Sequence, residues 1–362
     1  MSKPRDTLWP LEDHSRGKHA ILRRYVQAWL PIMATQSDRL VLVDGFAGPG
    51  RYRGGEPGSP LIMLDAYLRH SHREGIRAEL TFLFIEERQD RVDHLTQEVS
   101  ALGPLPKNVH VQIEHGSYQD LFRQLLAELQ AAQQTLAPTF SFIDPFGYSD
   151  APMDQTGQFF QFRKCEALVY VPTDAVVRFL TVPGQEQALT TLYGTDEWKK
   201  GGAMPGSERR QFLHDLFRDQ LQKHGSRWVR SFEIVKGSGL GYYLFFGTNS
   251  PAGMEKMKDA MWSVDRQTGC QYRDATDSAL QPVLFESHPN TGPLLTSLRQ
   301  HFGTRQFTIE EAERYTILET AYAKSHLRRL TLVPEEKSGR LEVHTQRARR
   351  FCYPVRTKMS FS

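Results

Sequence analysis

Short apolar runs alternate with amphipathic stretches through the first half of the chain. Val41–Val43 runs into Asp44, Leu80–Ile85 into Glu86, and Thr139–Ile143 into Asp144, while Val109–Ile113 alternates and Ala167–Val171 is apolar throughout. Apolar runs of this kind, bounded by turn residues, read as strands buried on both faces of a parallel sheet. Helical periods lie between them. Ile21, Leu22, Tyr25, Val26, Trp29 and Leu30 mark a helix over 14–33, Val92, Leu95 and Val99 mark a second, and Leu121, Phe122, Leu125, Leu126 and Leu129 a third. Ser59 is expected to cap a further helix, with Pro60 at its first position. Four alternations of strand and helix predict a doubly wound, mostly parallel sheet. Trp228–Val235 and Tyr242–Thr248 are expected as an antiparallel pair at its far edge. Residues 172–225 read as a helical insertion, and a helix is expected from about Gly253 to Trp262.

From Thr291 the pattern changes. Leu294, Leu295, Leu298 and Phe302 predict a short helix, Thr308-x-x-Glu311 a capping box that opens another, and Lys324–Arg329 a basic third helix. Lys337-Ser338-Gly339 reads as a hairpin tip within Leu332–His344. Three short helices and a hairpin are the layout of a winged helix, which commonly docks on nucleic acid and also serves as a protein adaptor. Residues 1–288 and 289–362 are thus expected to form two domains.

Charge adds to this picture. The net charge is only +3, but the segment from Lys324 onward carries ten Lys/Arg against three Glu, so the remainder is mildly acidic. That makes Lys324, Arg328, Arg329, Arg340, Arg347, Arg349 and Arg350 candidate phosphate contacts. Cys165, Cys270 and Cys352 are widely spaced and form no CxxC pair, which argues against a disulfide framework or a zinc site, and no metal is expected. No apolar run is long enough to span a membrane, and the amino terminus lacks the apolar segment of a secretory signal, so a cytoplasmic location is expected.

The turn after the first strand, Asp44-Gly45-Phe46-Ala47-Gly48-Pro49-Gly50, stands where open α/β sheets bind ligands. A P-loop is excluded because no Gly-Lys-Ser/Thr follows, and the nicotinamide fingerprint would want its third glycine at a helix start directly after the strand. The order of acid and glycines resembles the first motif of class I S-adenosylmethionine-dependent methyltransferases. In that reading Asp44, Gly45, Phe46, Ala47, Gly48 and Gly50 hold the amino acid part of the cofactor. Glu86, with Glu87 as the fallback, accepts ribose hydroxyls 36 residues beyond Gly50, and Ser117 or Tyr118 lies near the adenine. His14, Lys18 and His19 are expected to be solvated residues of a helix start, with lining of the cofactor pocket as the alternative.

Asp144-Pro145-Phe146 resembles the Asp/Asn-Pro-Pro-aromatic motif of amino-methyltransferases. A carboxylate and a carbonyl accepting both N–H bonds of an exocyclic amine localise its lone pair, proline fixes the turn, and an aromatic ring stacks on a base taken out of its helix. Phe142-Ile143-Asp144-Pro145-Phe146-Gly147 further resembles the signature of tRNA guanine-N2 dimethyltransferases, which points to guanine as one candidate. Cytosine-C5 chemistry would need a Pro-Cys nucleophile after the fourth strand. None is there, and Cys165 reads as a small buried apolar residue.

Over nearly its whole length the chain resembles the bacterial three-Cys-motif partner (TcmP) proteins. The resemblance rests on Trp9-Pro10-Leu11-Glu12, Arg16-Gly17-Lys18-His19, Asp44–Pro60, Ile85-Glu86-Glu87, Tyr242–Trp262 and Ser325-His326-Leu327-Arg328-Arg329. It implies a methyltransferase-like body, a C-terminal winged-helix-like domain and a partner protein with a three-cysteine motif. The chain departs from that pattern after the fifth strand, where Tyr170-Val171-Pro172 replaces an expected Asn-Phe-like pair. The expectation is therefore an S-adenosylmethionine-dependent enzyme methylating an exocyclic amine of a nucleobase in RNA or DNA. The alternative is a cofactor-binding scaffold that recruits a three-Cys-motif protein or nucleic acid.

Overall fold

The computed structural model describes residues 4–235, 241–273 and 289–362. They fall into two compact units, one of residues 4–250 with 272–273 and one of residues 251–271 with 289–362.

The first unit is built on a sheet whose strands follow the expected apolar runs: β1 (Arg39–Asp44), β2 (Glu79–Glu86), β3 (Val109–His115), β4 (Thr139–Ile143), β5 (Cys165–Val171), β6 (Trp228–Val235) and β7 (Gly241–Thr248). A short β8 (Gln271–Arg273), not expected from the sequence, completes the order β3-β2-β1-β4-β5-β7-β6-β8. Strands β1 to β5 run parallel, and β7 is antiparallel to both β5 and β6. This is a Rossmann-like, doubly wound α/β fold. The reversed strand lies inside the sheet rather than at its edge, because Gly241–Thr248 pairs on both sides. The chain leaves β1 outward through β2 and β3 and then returns to β4 on the other side of β1. The crevice at the ends of β1 and β4 is therefore the topological switch point.

Helices cover both faces of the sheet. On one face, α1 (Asp13–Ala34) and α2 (Ser59–Leu68) lie over the aromatic residues of the sheet, with Tyr25 5.0 Å from both Phe140 and Phe246. The next helix, α3 (Gln89–Ser100), leads outward from β2 as α2 does from β1 and lies on the same face. On the other lie α4 (Tyr118–Ala131), α5 (Met153–Phe159), α6 (Thr173–Phe179), α7 (Glu186–Tyr193) and α8 (Gly206–Lys223). Residues 172–225 are thus no appendage. Val176, Leu189, Tyr193, Leu213, Phe217 and Leu221 share one buried core with Ile143, Val169 and Val171.

One polar cluster sets the position of α1. The Glu166 carboxylate, 3% exposed on β5, accepts the Tyr25 hydroxyl (2.6 Å) and the Trp29 indole N–H (2.8 Å), and a third bond from Thr248 on β7. Burial raises its pKa, and these three donors oppose that rise.

The second unit begins with α9 (Pro251–Val264), a helix the sequence analysis placed with the body. Its Lys258, 1% exposed, donates to the carbonyls of Thr316 (2.8 Å) and Tyr322 (2.9 Å), and the Trp262 indole donates to that of Ala321 (2.9 Å). A buried ammonium at the end of α11 (Ile309–Glu319) meets carbonyls that the helix itself leaves open. With α10 (Gly292–Phe302), three strands β9 (Phe307–Thr308), β10 (Leu341–Val343) and β11 (Lys358–Phe361), and a third helical segment, the unit has the expected number of helices plus one. The capping box at Thr308 and Glu311 forms as read.

The expected hairpin tip does not. Lys337 ends the third helical segment, which runs on through Val333–Lys337, and β10 pairs with β11 across residues 344–357. Pro334, which has no N–H to offer the preceding turn, sits in the first turn after a π-helical stretch, Leu327–Leu332, and the Leu330 carbonyl takes the Thr291 hydroxyl (3.1 Å).

Replacing Glu166 with Ala would strand three buried donors. Urea unfolding of Glu166→Ala should show a loss of about 2–5 kcal/mol, and a loss below about 1 kcal/mol would remove Glu166 as the brace of α1.

Candidate functional site

Parallel pairing places Asp44 opposite Phe142, so Asp144 emerges two residues beyond it at the same end of the sheet. Between and around them lies a cleft in two lobes. One is lined by Lys18, Gly48, Tyr52, Asp144, Tyr170 and Tyr242 among others, and the second by Glu86, Arg91, Ser117, Tyr118 and Asp150. Phe46 and Phe146 line both.

The glycine turn is pinned from both neighbouring strands. Gly45 N–H donates to the Phe142 carbonyl (3.0 Å) and Ala47 N–H to that of Ile85 (2.9 Å). Gly48 adopts φ +63°, a left-handed conformation that disfavours a side chain, and its N–H donates to Glu86 Oε2 (2.9 Å). A Cβ on Gly45 would lie 2.6 Å from the Tyr118 ring, so that glycine makes room for an aromatic side chain rather than directly for a ligand. Glu86, 5% exposed, also accepts the Arg88 N–H at Oε1 (2.9 Å), with Arg91 Nη1 at 3.9 Å. One protein hydrogen bond on each oxygen leaves each a lone pair for a ligand hydroxyl.

Asp44 is fully buried. Its Oδ1 accepts the Phe46 N–H (3.1 Å), while Oδ2 has no hydrogen-bond partner among the described residues. Burial raises its pKa to about 7. The nearby Ser59 hydroxyl, which makes no hydrogen bond to Oδ2 by geometry, the Phe46 N–H and Lys18 favour the charged form, and Asp144 opposes it. Ser59 therefore faces the site instead of capping α2, and Gly58 holds the N-cap position.

The three residues expected to be solvated at the start of α1 are all buried: His14 is 7% exposed, Lys18 6% and His19 8%. Lys18 pairs with Asp144 Oδ2 and lies 5.4 Å from the centre of the Tyr170 ring. His19 is held neutral, its pKa lowered to about 3 by burial and then by Lys18 and the neighbouring arginines. Arg16-Gly17-Lys18-His19 stands out only through the family resemblance, and the burial of these residues follows from α1 crossing the sheet end.

Ser117 caps α4 by accepting the Asp120 N–H (3.1 Å), and Tyr118 is buried beside Phe46 and Phe122. Trp9 and Arg91 were not anticipated. The Arg91 guanidinium lies 4.7 Å from the Trp9 ring and 5.4 Å from Phe146, and Arg91 and Arg88 donate to the carbonyls of Pro4 and Arg5. Arg53 bonds to the Trp9 carbonyl (2.9 Å) and the Leu8 carbonyl (3.0 Å), so residues 4–9 are fastened to both rims of the cleft.

The basic residues proposed for phosphate contact belong to the second unit. Four of them are engaged within it: Lys324 and Arg328 with Glu313 (3.2 and 2.6 Å), Arg340 with Glu335 (2.7 Å) and Arg347 with Glu336 (2.6 Å). Arg329, Arg349 and Arg350 are exposed and make no ion pair among the described residues.

No protein-family model matches the sequence, and no curated protein matches it. Solved structures do. Trm1 from Pyrococcus horikoshii, in complex with S-adenosyl-L-methionine, is 13% identical with a TM-score of 0.39, over 71% of this chain and 61% of that one. The cyclopropane synthase MmaA2 from Mycobacterium tuberculosis is 10% identical with a TM-score of 0.26, over 65% and 68%. A SAM-dependent methyltransferase from Aquifex aeolicus is 12% identical with a TM-score of 0.25, over 66% and 98%. The alignment thus spans about three fifths of the length of Trm1. Likeness at this level concerns fold and carries no argument about activity. Among the described residues no helix is long and apolar enough to cross a membrane.

The Asp44 titration has a definite sign. Its folded pKa of about 7 lies above its ordinary value of 3.8, so its contribution to stability is fully present below about pH 4 and is lost as pH rises through about 7. Relative to Asp44→Asn, the wild-type protein should lose up to about 4 kcal/mol between pH 4 and pH 8 in urea unfolding, and a pH-independent difference would place the Asp44 pKa elsewhere.

Proposed function

We propose that this chain is an S-adenosylmethionine-dependent methyltransferase acting on an exocyclic amine of a nucleobase, guanine among the candidates, in RNA or DNA. The observation that carries the reading is the convergence of Glu86 and Asp144-Pro145-Phe146 on one two-lobed cleft at the switch point, with Phe46 and Phe146 shared by the lobes and Asp44 buried at the end of the neighbouring strand β1. The residues present fit the cofactor. Asp44 offers a buried, unpartnered carboxylate oxygen, and Glu86 sits at the end of β2 beside the lobe lined by Ser117 and Tyr118.

Bound there, S-adenosylmethionine supplies an electrophilic methyl group. The chain's own residues prepare the acceptor. Lys18 occupies Asp144 Oδ2 and balances its charge, so Oδ1 is the oxygen left to accept an amine N–H. Drawing that N–H into a hydrogen bond turns the nitrogen lone pair away from ring conjugation. Pro145 fixes the turn, and Phe146 offers a stacking face. Trp9, Tyr52 and Phe146 line the same lobe, and their rings meet edge to face at 5.9 and 5.5 Å.

The second unit is read as a winged-helix-like domain that presents Arg329, Arg349 and Arg350 to phosphates. A scaffold without transfer activity is the second reading, favoured by one observation: Asp144 already has a partner in Lys18. In that reading, as the TcmP resemblance implies, the chain recruits a protein bearing a three-cysteine motif.

Asp144→Ala should cut transfer of labelled methyl into total RNA or DNA by at least about 100-fold while S-adenosylhomocysteine still binds. An unchanged rate would sink the assignment, and absence of transfer by the wild-type chain would favour the scaffold. Because a cationic ligand group draws Asp44 into its charged form, S-adenosylhomocysteine binding should weaken as pH falls through about 7, with proton uptake or release read by calorimetry in two buffers. The triple change of Arg329, Arg349 and Arg350 to Ala should reduce the salt dependence of RNA or DNA binding by about two to three in log–log slope, and an unaltered slope would move the interface elsewhere.

A further inference from the structure

One polar group in the cleft has no role in the mechanism above. Tyr170, on β5, is 5% exposed and lines the same lobe as Lys18 and Asp144. The other hydroxyls and cations around it are engaged. Tyr242, its ring 4.5 Å away, donates to the His14 carbonyl (3.2 Å), Tyr52 meets the His19 ring nitrogen (3.4 Å), and Lys18 is bonded to Asp144. The Tyr170 hydroxyl is buried with no hydrogen-bond partner among the described residues. A buried hydroxyl left unpaired is a cost to the fold, and phenylalanine would fill nearly the same volume without it. Burial, and then the charges of Asp144, Asp174 and Glu12, keep the phenol protonated, so it enters the cleft as a donor.

We propose that Tyr170 is a specificity residue whose O–H donates to a hydrogen-bond acceptor on the substrate ring next to the amine held by Asp144. The lobe then presents a donor beside an acceptor. The complementary substrate is a heteroaromatic ring whose exocyclic amine is flanked by a ring nitrogen, as in the amine-bearing nucleobases. A ring lacking that acceptor would leave the phenol unpaired in the complex and be rejected for that reason. The inference rests on the exocyclic-amine reading, and it gives the position where Tyr170 replaces the expected Asn-Phe-like pair a function of its own.

The test uses Tyr170→Phe in the full chain. The base methylated by the wild-type protein in total RNA or DNA is identified first. Oligonucleotides carrying that base, or its deaza counterpart with CH in place of the ring nitrogen beside the amine, are then compared. The variant should melt at the same temperature as wild type or higher, and bind S-adenosylhomocysteine within about twofold of it. It should lose about 10–100-fold in kcat/KM on the natural base. The deaza base should be about equally poor for wild type and variant. An undiminished rate on the natural base overturns the assignment, as does an equal further loss on the deaza base. A drop in melting temperature with loss of S-adenosylhomocysteine binding also overturns it, by making Tyr170 structural. If the wild-type chain methylates neither RNA nor DNA, the exocyclic-amine reading fails and the Tyr170 assignment falls with it. Transfer by wild type with an indifferent variant sinks the Tyr170 assignment alone.

Discussion

A single buried carboxylate, Glu166, fixes where the chemistry can happen. It gathers donors from α1 and β7 at the lower end of β5, and so locks one half of a 22-residue helix to the sheet. A helix is stiff on this length scale, so anchoring Tyr25 and Trp29 also determines where residues seven to eleven positions earlier come to rest. They come to rest over the switch point. Lys18 is delivered to Asp144 and His14 to Tyr242 by a brace that touches neither. Pairing of β1 with β4 sets Asp44 near Asp144, and α1 supplies the cation that the two acids need.

Charge balance then explains why Asp44 holds its proton so far above the ordinary carboxylate range. Two carboxylates and one ammonium share a poorly solvated crevice, and Lys18 makes its contact with Asp144. Asp44 is left with backbone and hydroxyl dipoles and a neighbouring negative charge, which cannot repay its burial, so its proton stays on to about pH 7. The empty side of that balance is a positive charge. A ligand that carries one gains a carboxylate oxygen already stripped of water, which costs less than desolvating it on binding.

Much of this was legible in the residues. Strand runs ending in Asp44, Glu86 and Asp144 placed three acids at one end of a parallel sheet, because period and strand-end position are local properties. Polar residues on α1 were not legible, since a sequence shows His14, Lys18 and His19 beside charged neighbours and gives no sign that the sheet end lies beneath them. Ser59 had every mark of an N-cap, yet tertiary proximity to Asp44 puts Gly58 in that place. The grouping of α9 with the second unit depends on Lys258 reaching carbonyls some 58 and 64 positions away. Partners at that separation leave no pattern in either segment.

The same point governs the basic C-terminal segment. Counting charges there suggests a uniformly positive surface, but Glu313, Glu335 and Glu336 are placed to receive Lys324, Arg328, Arg340 and Arg347. Glu335, 4% exposed at its side chain, also receives Arg299 (2.7 Å), so it is a buried structural anion with two arginines around it. Arginines spent in this way hold helix to strand and have little charge left over for phosphates. Of the candidate phosphate contacts, those left without an ion pair among the described residues are Arg329 on the third helical segment and Arg349 and Arg350 in the excursion between β10 and β11. Specificity in the segment therefore depends less on how many cations it has than on which ones its own glutamates leave uncovered.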